Sequence, residues 1–186
     1  MKLTEEQIAS RQIYAGKILD LYCDDVALPN GGRGVREYIR HLGAACVVPV
    51  TDDGKVVLVN QFRYPFHDVL TEVPAGKLDS KDEPPEEAAR RELREETGAQ
   101  AAEMISLGAY YPSCAYTDEV IHMYLARGLT FGSNHLDEDE FLNVKLVPLE
   151  DAVKDVLAGK ICDGKTQTAL LKAWLWMKDQ AIGNRQ

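Results

Sequence analysis

The stretch PAGKLDSKDEPPEEAARRELREETGA, residues 74–99, decides how this chain folds, because a tight turn leads there into a highly charged helix. Pro84 and Pro85, followed by two glutamates, are typical of the first turn of a helix, and Asp82 is a candidate for its N-terminal cap. Gly98 is a candidate for the residue that ends the helix. The face that the helix buries consists of small and apolar residues at helical spacing: Ala88, Ala89 and Leu93.

The carboxylates of this segment allow two interpretations. Glu92 and Glu96 are four residues apart with Glu95 beside them, so three like charges share one helix face and its edge, where they repel one another. The first interpretation is a solvated helix with ordinary salt bridges, such as one between Arg91 and Glu95, and composition alone favours it. The second is a metal site, because Mg²⁺ and Mn²⁺ prefer oxygen ligands and usually bind phosphates at the same time.

The rest of the chain predicts an α+β fold. Strand patterns precede the charged helix in GAACVVPV and KVVLVNQF, which are joined by a hairpin signal at Asp53-Gly54, and strand patterns also follow it. Helical patterns close the chain in LEDAVKDVLAG and TQTALLKAWLWMKDQAI. We therefore expect a mixed β-sheet with helices packed on it in residues 41–186. Residues 1–40, which alternate like strands, form a β arm that is too short for a separate domain.

Charge and cysteine content exclude several classes of function. The net charge of −9 argues against binding to nucleic-acid backbones, where Lys and Arg must dominate. No apolar stretch approaches the length of a membrane span, so no membrane partner is expected. The four cysteines stand far apart without zinc-site spacing, and in the absence of a secretion signal we expect reduced thiols in a cytoplasmic protein.

Ordered positions in the charged segment resemble the Nudix box. The matching residues are Gly76, Glu83, Arg91-Glu92-Leu93, Glu95-Glu96 and Gly98-Ala99. From Glu83 onward every fixed position of that pattern is met, whereas six residues separate Gly76 from Glu83 where the family has five. The extra residue falls in a loop before the helix, where an insertion costs little free energy. This resemblance favours the metal site and implies the α/β/α Nudix fold, a sheet sandwiched by helices.

Segments outside the box resemble the ADP-ribose pyrophosphatase branch of the family. They are VNQFRYP, EVPAGKLD, YYPSCAYTDEVIHMYLA and LDEDEFLNVKLVPLEDA. The resemblance implies Mg²⁺-dependent hydrolysis, with Mn²⁺ as an alternative ion, of ADP-ribose to AMP and ribose 5-phosphate. It also implies a homodimer in which the N-terminal arm helps to build the partner's substrate site.

The same resemblance assigns roles to individual residues. The metal ligands that it implies are the Ala75 carbonyl and the carboxylates of Glu92, Glu95, Glu96 and Glu140. Glu138 is the expected catalytic base, with Asp137 and Asp139 as alternatives, while Glu95 and Arg91 complete the catalytic set and Arg91 orients the carboxylates. The substrate contacts that it implies are Arg36, Glu37 and Ser113. Arg63, which follows a strand, is a candidate for a bidentate contact to a phosphate or the terminal ribose, with a surface ion pair as the alternative.

One departure from that branch concerns the substrate. Ser113-Cys114-Ala115 stands where the branch commonly has Ser-Pro-Gly, which changes the backbone freedom of a loop on the substrate side. An alternative is therefore another nucleoside diphosphate sugar as substrate. Two alternatives that do not depend on this loop are a pyrophosphatase for oxidised mononucleotides and an inactive domain that senses a nucleotide. Retention of Glu92, Glu95 and Glu96 argues against the inactive domain.

Overall fold

Ten strands and three helices make up the part of the chain that the computed structural model describes, residues 3–133 and 141–183. The strands are β1 (Glu6–Ala15), β2 (Asp20–Ala27), β3 (Arg33–Arg40), β4 (Ala44–Pro49), β5 (Lys55–Arg63), β6 (Asp68–Glu72), β7 (Ala75–Lys77), β8 (Ala99–Tyr110), β9 (Ile121–Phe131) and β10 (Leu142–Pro148). The helices are α1 (Pro85–Thr97), α2 (Leu149–Leu157) and α3 (Gly164–Gly183), and a 3-10 turn spans Tyr64–Phe66.

The central sheet lies between helices. Its strand order is β7-β4-β9-β8, with β4 parallel to β9 and the other neighbours antiparallel. Every residue of β4 is buried, because alternate side chains point to opposite faces. Ala44, Cys46 and Val48 pack into a core that includes α2 and α3, whereas Ala45 and Val47 pack with α1. The predicted mixed sheet between helices is thus confirmed.

A second sheet corrects the predicted hairpin at Asp53-Gly54. The chain does turn there, but β5 pairs with β6 and β10 in an antiparallel sheet of order β10-β5-β6. Just beyond β4, Val50 forms an isolated antiparallel bridge with Val56 of β5, and the Thr51 N–H donates to the Lys55 carbonyl at 2.9 Å. The reason is that both edges of β4 are already occupied by β7 and β9, so no edge is left for β5.

Prolines determine where α1 begins. Pro84 is extended, with ψ of 126°, and occupies the N-cap position without a side-chain cap, so the prediction that Asp82 caps the helix is wrong. A residue before proline is driven out of the helical region, and the helix therefore starts at Pro85. Its end is as predicted: Gly98 has the left-handed φ of 70° and donates its N–H to the Arg94 carbonyl. The predicted buried stripe of α1 is also confirmed.

The N-terminal sheet, of order β1-β2-β3, is connected to the body at the end of β3. Ile39 forms a parallel bridge with Thr117, and its N–H donates to the Tyr116 carbonyl at 2.9 Å. All ten residues of β1 are exposed, among them Ile8 and Ile13. None of the helices within residues 3–133 and 141–183 is both long and apolar enough to cross a membrane.

Candidate active site

The guanidinium of Arg91 stands at the centre of the charged face of α1. Its Nη1 donates to Glu92 Oε1 at 2.6 Å and to Glu95 Oε2 at 3.3 Å, and its Nε donates to Glu83 Oε1 at 3.3 Å. Its Nη2 donates to the backbone carbonyl of Lys77 at 3.0 Å. Burial opposes the charge, but the glutamates outweigh burial and raise the pKa of Arg91 above its ordinary value. One cation thus holds three carboxylates against the backbone of β7.

The Pro-Ala-Gly segment, residues 74–76, approaches α1 closely at Gly76. A Cβ placed on Gly76 would collide with both carboxylate oxygens of Glu92, so only glycine permits this approach. The tight turn predicted here is wrong, because Ala75–Lys77 form strand β7, which pairs with β4 and places Gly76 opposite Ala45 and Ala75 opposite Cys46. The fold therefore places the carboxylate of Glu92 against the backbone of Gly76, the residue that follows the Ala75 carbonyl.

Glu96 lies one turn beyond Glu92 and is only 2% exposed. Arg63 is the last residue of β5, and its pKa is raised mainly by a hydrogen bond to Glu72. The negative charges of Asp163 and Glu96 raise the pKa of Arg63 further. The buried end of α1 is thereby linked electrostatically to the cleft described next.

The donor set suits a hard divalent cation. Carboxylate oxygens of Glu92 and Glu95 converge on Arg91, and Glu92 lies against the backbone next to Ala75, which gives an oxygen-only environment. Within residues 3–133 and 141–183, no three His, Cys, Asp or Glu side chains are close enough together to hold a metal ion as they stand. Arg91 occupies oxygens of this face in the structure, and a bound cation would have to share them.

A cleft of about 390 Å³ opens beside the Pro-Ala-Gly segment. Strand β7 and the start of α3 both contribute to its lining. The residues that line it include Arg63, Ala75, Gly76, Lys77, Tyr110, Pro112, Glu119, Asp163, Gly164 and Lys165. Arg63, Lys77 and Lys165 supply positive charge to the walls, and Glu119 and Asp163 supply negative charge, so a ligand in the cleft would meet charges of both signs.

A network of ion pairs connects the cleft residues Arg63, Asp163 and Lys165 to the buried Glu72. Arg63 donates from Nε and Nη2 to the two oxygens of Glu72, at 2.6 and 2.7 Å. The ammonium of Lys165 donates to Glu72 Oε2 and, at 3.0 Å, to Asp163 Oδ2. The Glu72 and Lys165 side chains are 2% and 11% exposed. Burial opposes ionisation of Glu72, but Arg63 and Lys165 outweigh it and hold the pKa of Glu72 below its ordinary value.

The structure brings some predicted substrate residues to the cleft and leaves others away from it. Arg63 is on the cleft wall, although two of its donors are bonded to Glu72 rather than offered to a ligand. Ser113 follows Pro112, a cleft residue, and its carbonyl accepts the Tyr116 and Thr117 N–H groups in a turn.

Arg36 and Glu37 lie on β3 in the arm and are not part of the cleft lining in the described chain. The Nε of Arg36 donates to Glu5 Oε2 at 2.9 Å. The predicted base Glu138 and its alternatives Asp137 and Asp139, together with the predicted metal ligand Glu140, lie outside the described residues.

Sequence reasoning missed Glu72, Asp163 and Lys165. A signal for Asp163 was present, because an Asp three residues before a Thr at the start of a helical pattern is typical of an N-cap. Nothing local could indicate the contact between Lys165 and Glu72, which are 93 residues apart.

Comparisons with known proteins identify related sequences and a related fold. The family model described as the NUDIX domain matches residues 40–165, and that of the nucleoside diphosphate sugar hydrolase N-terminal domain matches residues 5–39. An ADP-ribose pyrophosphatase from Bacillus subtilis (strain 168) is 46% identical over 170 residues, which cover 90% of this chain and 91% of the relative. A methanol dehydrogenase activator from Bacillus methanolicus is 42% identical over 172 residues, covering 91% of this chain and 92% of that protein. The solved structure of an ADP compounds hydrolase superposes with a TM-score of 0.84 at 23% identity, covering 97% of this chain and 98% of that one.

Proposed function

The chain belongs to the Nudix family, and on that premise we propose that it hydrolyses the pyrophosphate bond of ADP-ribose with a divalent cation, giving AMP and ribose 5-phosphate. In this reaction an oxygen from water bonds to one phosphorus and the bridging oxygen leaves with the other phosphate. The observation that carries the proposal is the carboxylate face organised by Arg91 next to a cleft whose lining includes Arg63, Lys77 and Lys165. The 46% identity to an ADP-ribose pyrophosphatase supports the choice of substrate.

The proposed ion is Mg²⁺, with Mn²⁺ as an alternative. Its proposed ligands are the Ala75 carbonyl and the carboxylates of Glu92, Glu95, Glu96 and Glu140. When bound, such a cation neutralises phosphate charge and lowers the pKa of a coordinated water. Gly76 supports the proposal because its missing side chain admits Glu92 to the backbone beside Ala75.

The chain's own residues would orient the acids, bind the phosphates and accept a proton. Arg91 would keep Glu92 and Glu95 in position while it remains bonded to the Lys77 carbonyl. Arg63 would present its charge at the cleft wall, in a direction fixed by Glu72. Glu138 is proposed as the base that takes the proton of the attacking water, and Ser113 as a contact of the substrate-side loop.

We propose that two copies of the chain associate through the N-terminal arm. Residues 1–40 are the proposed dimer-forming arm and residues 41–186 the proposed hydrolase domain. Exposed apolar side chains on β1, such as Ile8 and Ile13, support a partner surface, because apolar groups gain free energy when removed from water. Arg36 and Glu37 would then reach substrate in the partner's cleft.

The proposed setting is the cytoplasm, with a small nucleotide sugar as substrate and neither nucleic acid nor membrane as partner. Free thiols at all four cysteines are in keeping with a reducing compartment. The net charge of −9 supports the exclusion of polyanions such as nucleic acids.

A second candidate is a broader or different nucleoside diphosphate sugar specificity. The match of residues 5–39 to a nucleoside diphosphate sugar hydrolase domain favours it, as does the Cys114-Ala115 sequence in the substrate-side loop. The reaction would be the same, and only the group beyond the second phosphate would differ.

A substrate panel tests both candidates. Purified protein is incubated with ADP-ribose, other nucleoside diphosphate sugars and nucleoside triphosphates, each with Mg²⁺, Mn²⁺ or a chelator, and the released mononucleotide is quantified. We expect AMP from ADP-ribose only when a divalent cation is present. Preference for another diphosphate sugar would favour the second candidate, and hydrolysis of triphosphates alone would contradict both.

A further inference from the structure

The first turn of α3 contacts the active site from the side opposite to α1. We propose that Asp163, Lys165 and Thr166 form a positioning unit that fixes the chain entering the Pro-Ala-Gly segment, and with it the Ala75 carbonyl and Arg63. This inference rests on the function proposed above, because it assigns these residues to the same site. None of them needs to touch a reacting atom.

Thr166 connects α3 by a hydrogen bond to Val73, which directly precedes the Pro-Ala-Gly segment. Its side chain is completely buried, and its hydroxyl donates to Asp163 Oδ2 at 2.6 Å. The same hydroxyl accepts the backbone N–H of Val73 at 3.0 Å, and this bond is buried. Removing the hydroxyl would leave the Val73 N–H without this acceptor in a buried place, which is costly for a backbone group.

Asp163 makes the first turn of α3 a rigid support. Its Oδ2 accepts the Thr166 N–H at 2.9 Å, and its carbonyl accepts the Gln167 N–H at 2.9 Å, as expected of a helix cap. Gly164 lies so close to Tyr110 that a Cβ on it would be 2.5 Å from the tyrosine oxygen. The first turn of α3 is therefore held by the Asp163 cap and by close packing of Gly164 against Tyr110.

Lys165 forms a salt bridge with Glu72, the residue that precedes Val73. Its ammonium bridges Glu72 and Asp163, and Glu72 in turn binds the guanidinium of Arg63 through both oxygens. Glu72 and Val73, three and two residues before Ala75, are thus both attached to the same helical turn. Because Pro74 leaves little backbone freedom between them and Ala75, the position of α3 is transmitted to the Ala75 carbonyl.

The chain offers a matched set of variants for a test. Thr166→Val removes the hydroxyl and keeps the shape, and Thr166→Ser keeps the hydroxyl. Thr168→Val is the control, because the Thr168 hydroxyl donates only to the Gly164 carbonyl of its own helix among the described contacts. Three measurements are made on the full chain. They are amide hydrogen exchange at Val73, Mn²⁺ affinity by calorimetry, and steady-state kinetics with ADP-ribose, which give kcat and KM.

For Thr166→Val we expect Val73 exchange to accelerate about tenfold or more, as local protection is lost. Mn²⁺ affinity and kcat should each fall about tenfold, the scale seen when residues that orient metal ligands are removed. The KM for ADP-ribose should change less than about twofold, since Lys165, Glu72 and Arg63 remain. Thr166→Ser and Thr168→Val should both resemble the unmodified chain.

The inference is overturned if Thr166→Val matches Thr168→Val in the three measurements, or if Thr166→Ser is as impaired as Thr166→Val. If valine prevents folding, as judged by circular dichroism, Thr166→Ala and Thr168→Ala are compared in the same way. Failure of the proposed function would look different. The unmodified chain would then release no AMP, while Val73 exchange and Mn²⁺ affinity would still decide the positioning role.

Discussion

At the scale of single residues, the guanidinium of Arg91 donates hydrogen bonds to four acceptors. They are the carboxylates of Glu83, Glu92 and Glu95 and the backbone carbonyl of Lys77 in β7. We expect Arg91→Lys to lower kcat/KM about 10- to 100-fold, because an ammonium cannot reproduce the planar fork that orients Glu92 and Glu95. The measurement is steady-state hydrolysis of ADP-ribose together with a thermal melt.

The neighbouring Arg90 provides the control for that substitution. It pairs with the exposed Glu86 and with the Ala101 carbonyl, away from Glu92 and Glu95. Arg90→Lys should retain nearly full activity. Equal losses in Arg90→Lys and Arg91→Lys would contradict the special role of Arg91.

Gly76 is the second residue on which the site depends. In Gly76→Ala the new methyl group would collide with the carboxylate of Glu92, so the acid must move away from the backbone beside Ala75. A displacement of about 1 Å can cost on the order of 100-fold in rate, and we expect a loss of this size in kcat/KM.

Gly132→Ala is the matched control for Gly76→Ala. A Cβ at Gly132 would meet only the Gly98 carbonyl oxygen, at 3.7 Å, which is an ordinary contact. This variant should keep its activity in the same hydrolysis assay. Full activity in Gly76→Ala would show that the close approach of Glu92 to β7 is not required.

At the scale of secondary-structure elements, the salt-bridge cluster that joins β5, β6 and α3 makes stability depend on pH. The pKa of Glu72 is lowered in the folded state, so the cluster stabilises the fold above the ordinary value of 4.5 and loses that contribution as pH falls through the lower folded value. The pKa of Lys165 is raised, so its contribution is lost only as pH rises above its ordinary value of 10.5. Stability should therefore decline below about pH 4.5.

Glu72→Gln tests the contribution of this cluster. At neutral pH we expect it to lower the free energy of unfolding by about 3–5 kcal/mol, because Arg63 and Lys165 lose their shared buried carboxylate. The acid decline of stability should become shallower in the same variant. Urea unfolding between pH 3.5 and 7, a range chosen to span the ordinary pKa of Glu72, measures both effects. Glu86→Gln, in an exposed pair, should change stability by less than about 0.5 kcal/mol at any of these pH values.

Local signals predicted those elements whose determinants lie close together in the sequence. The proline-marked start of α1 at Pro85, its end at Gly98 and its buried stripe are all encoded within 26 residues. The paired hairpin predicted at Asp53-Gly54 was wrong because the pairing of β4 depends on β7 and β9, which the turn sequence does not reveal. The ion pair between Arg63 and Glu72 does not follow from the strand register, which places Arg63 opposite Asp68, and Lys165 reaches Glu72 only through packing of α3.

At the scale of the whole molecule, the exposed strand β1 predicts a dimer. We expect light scattering to give twice the chain mass of 20.7 kDa at micromolar concentration. Ile8→Arg combined with Ile13→Arg should shift the protein towards the monomer and reduce activity, because charged groups would face the proposed partner surface. Leu157→Arg, at an even more exposed apolar position on α2, should leave the mass unchanged. A monomeric unmodified protein with full activity would contradict the proposed arm.

Whether α1 holds a catalytic metal is tested by the rate at which AMP is released from ADP-ribose by the unmodified chain and by Glu96→Gln in the presence of Mg²⁺. We expect one AMP for each ribose 5-phosphate from the unmodified chain, and none when the cation is chelated. Glu96→Gln should lose several orders of magnitude in kcat while its circular dichroism spectrum stays the same, because the amide removes a proposed ligand charge with little change in shape. Undiminished AMP release by Glu96→Gln, or by the unmodified chain without a divalent cation, would contradict the claim that α1 holds a catalytic metal.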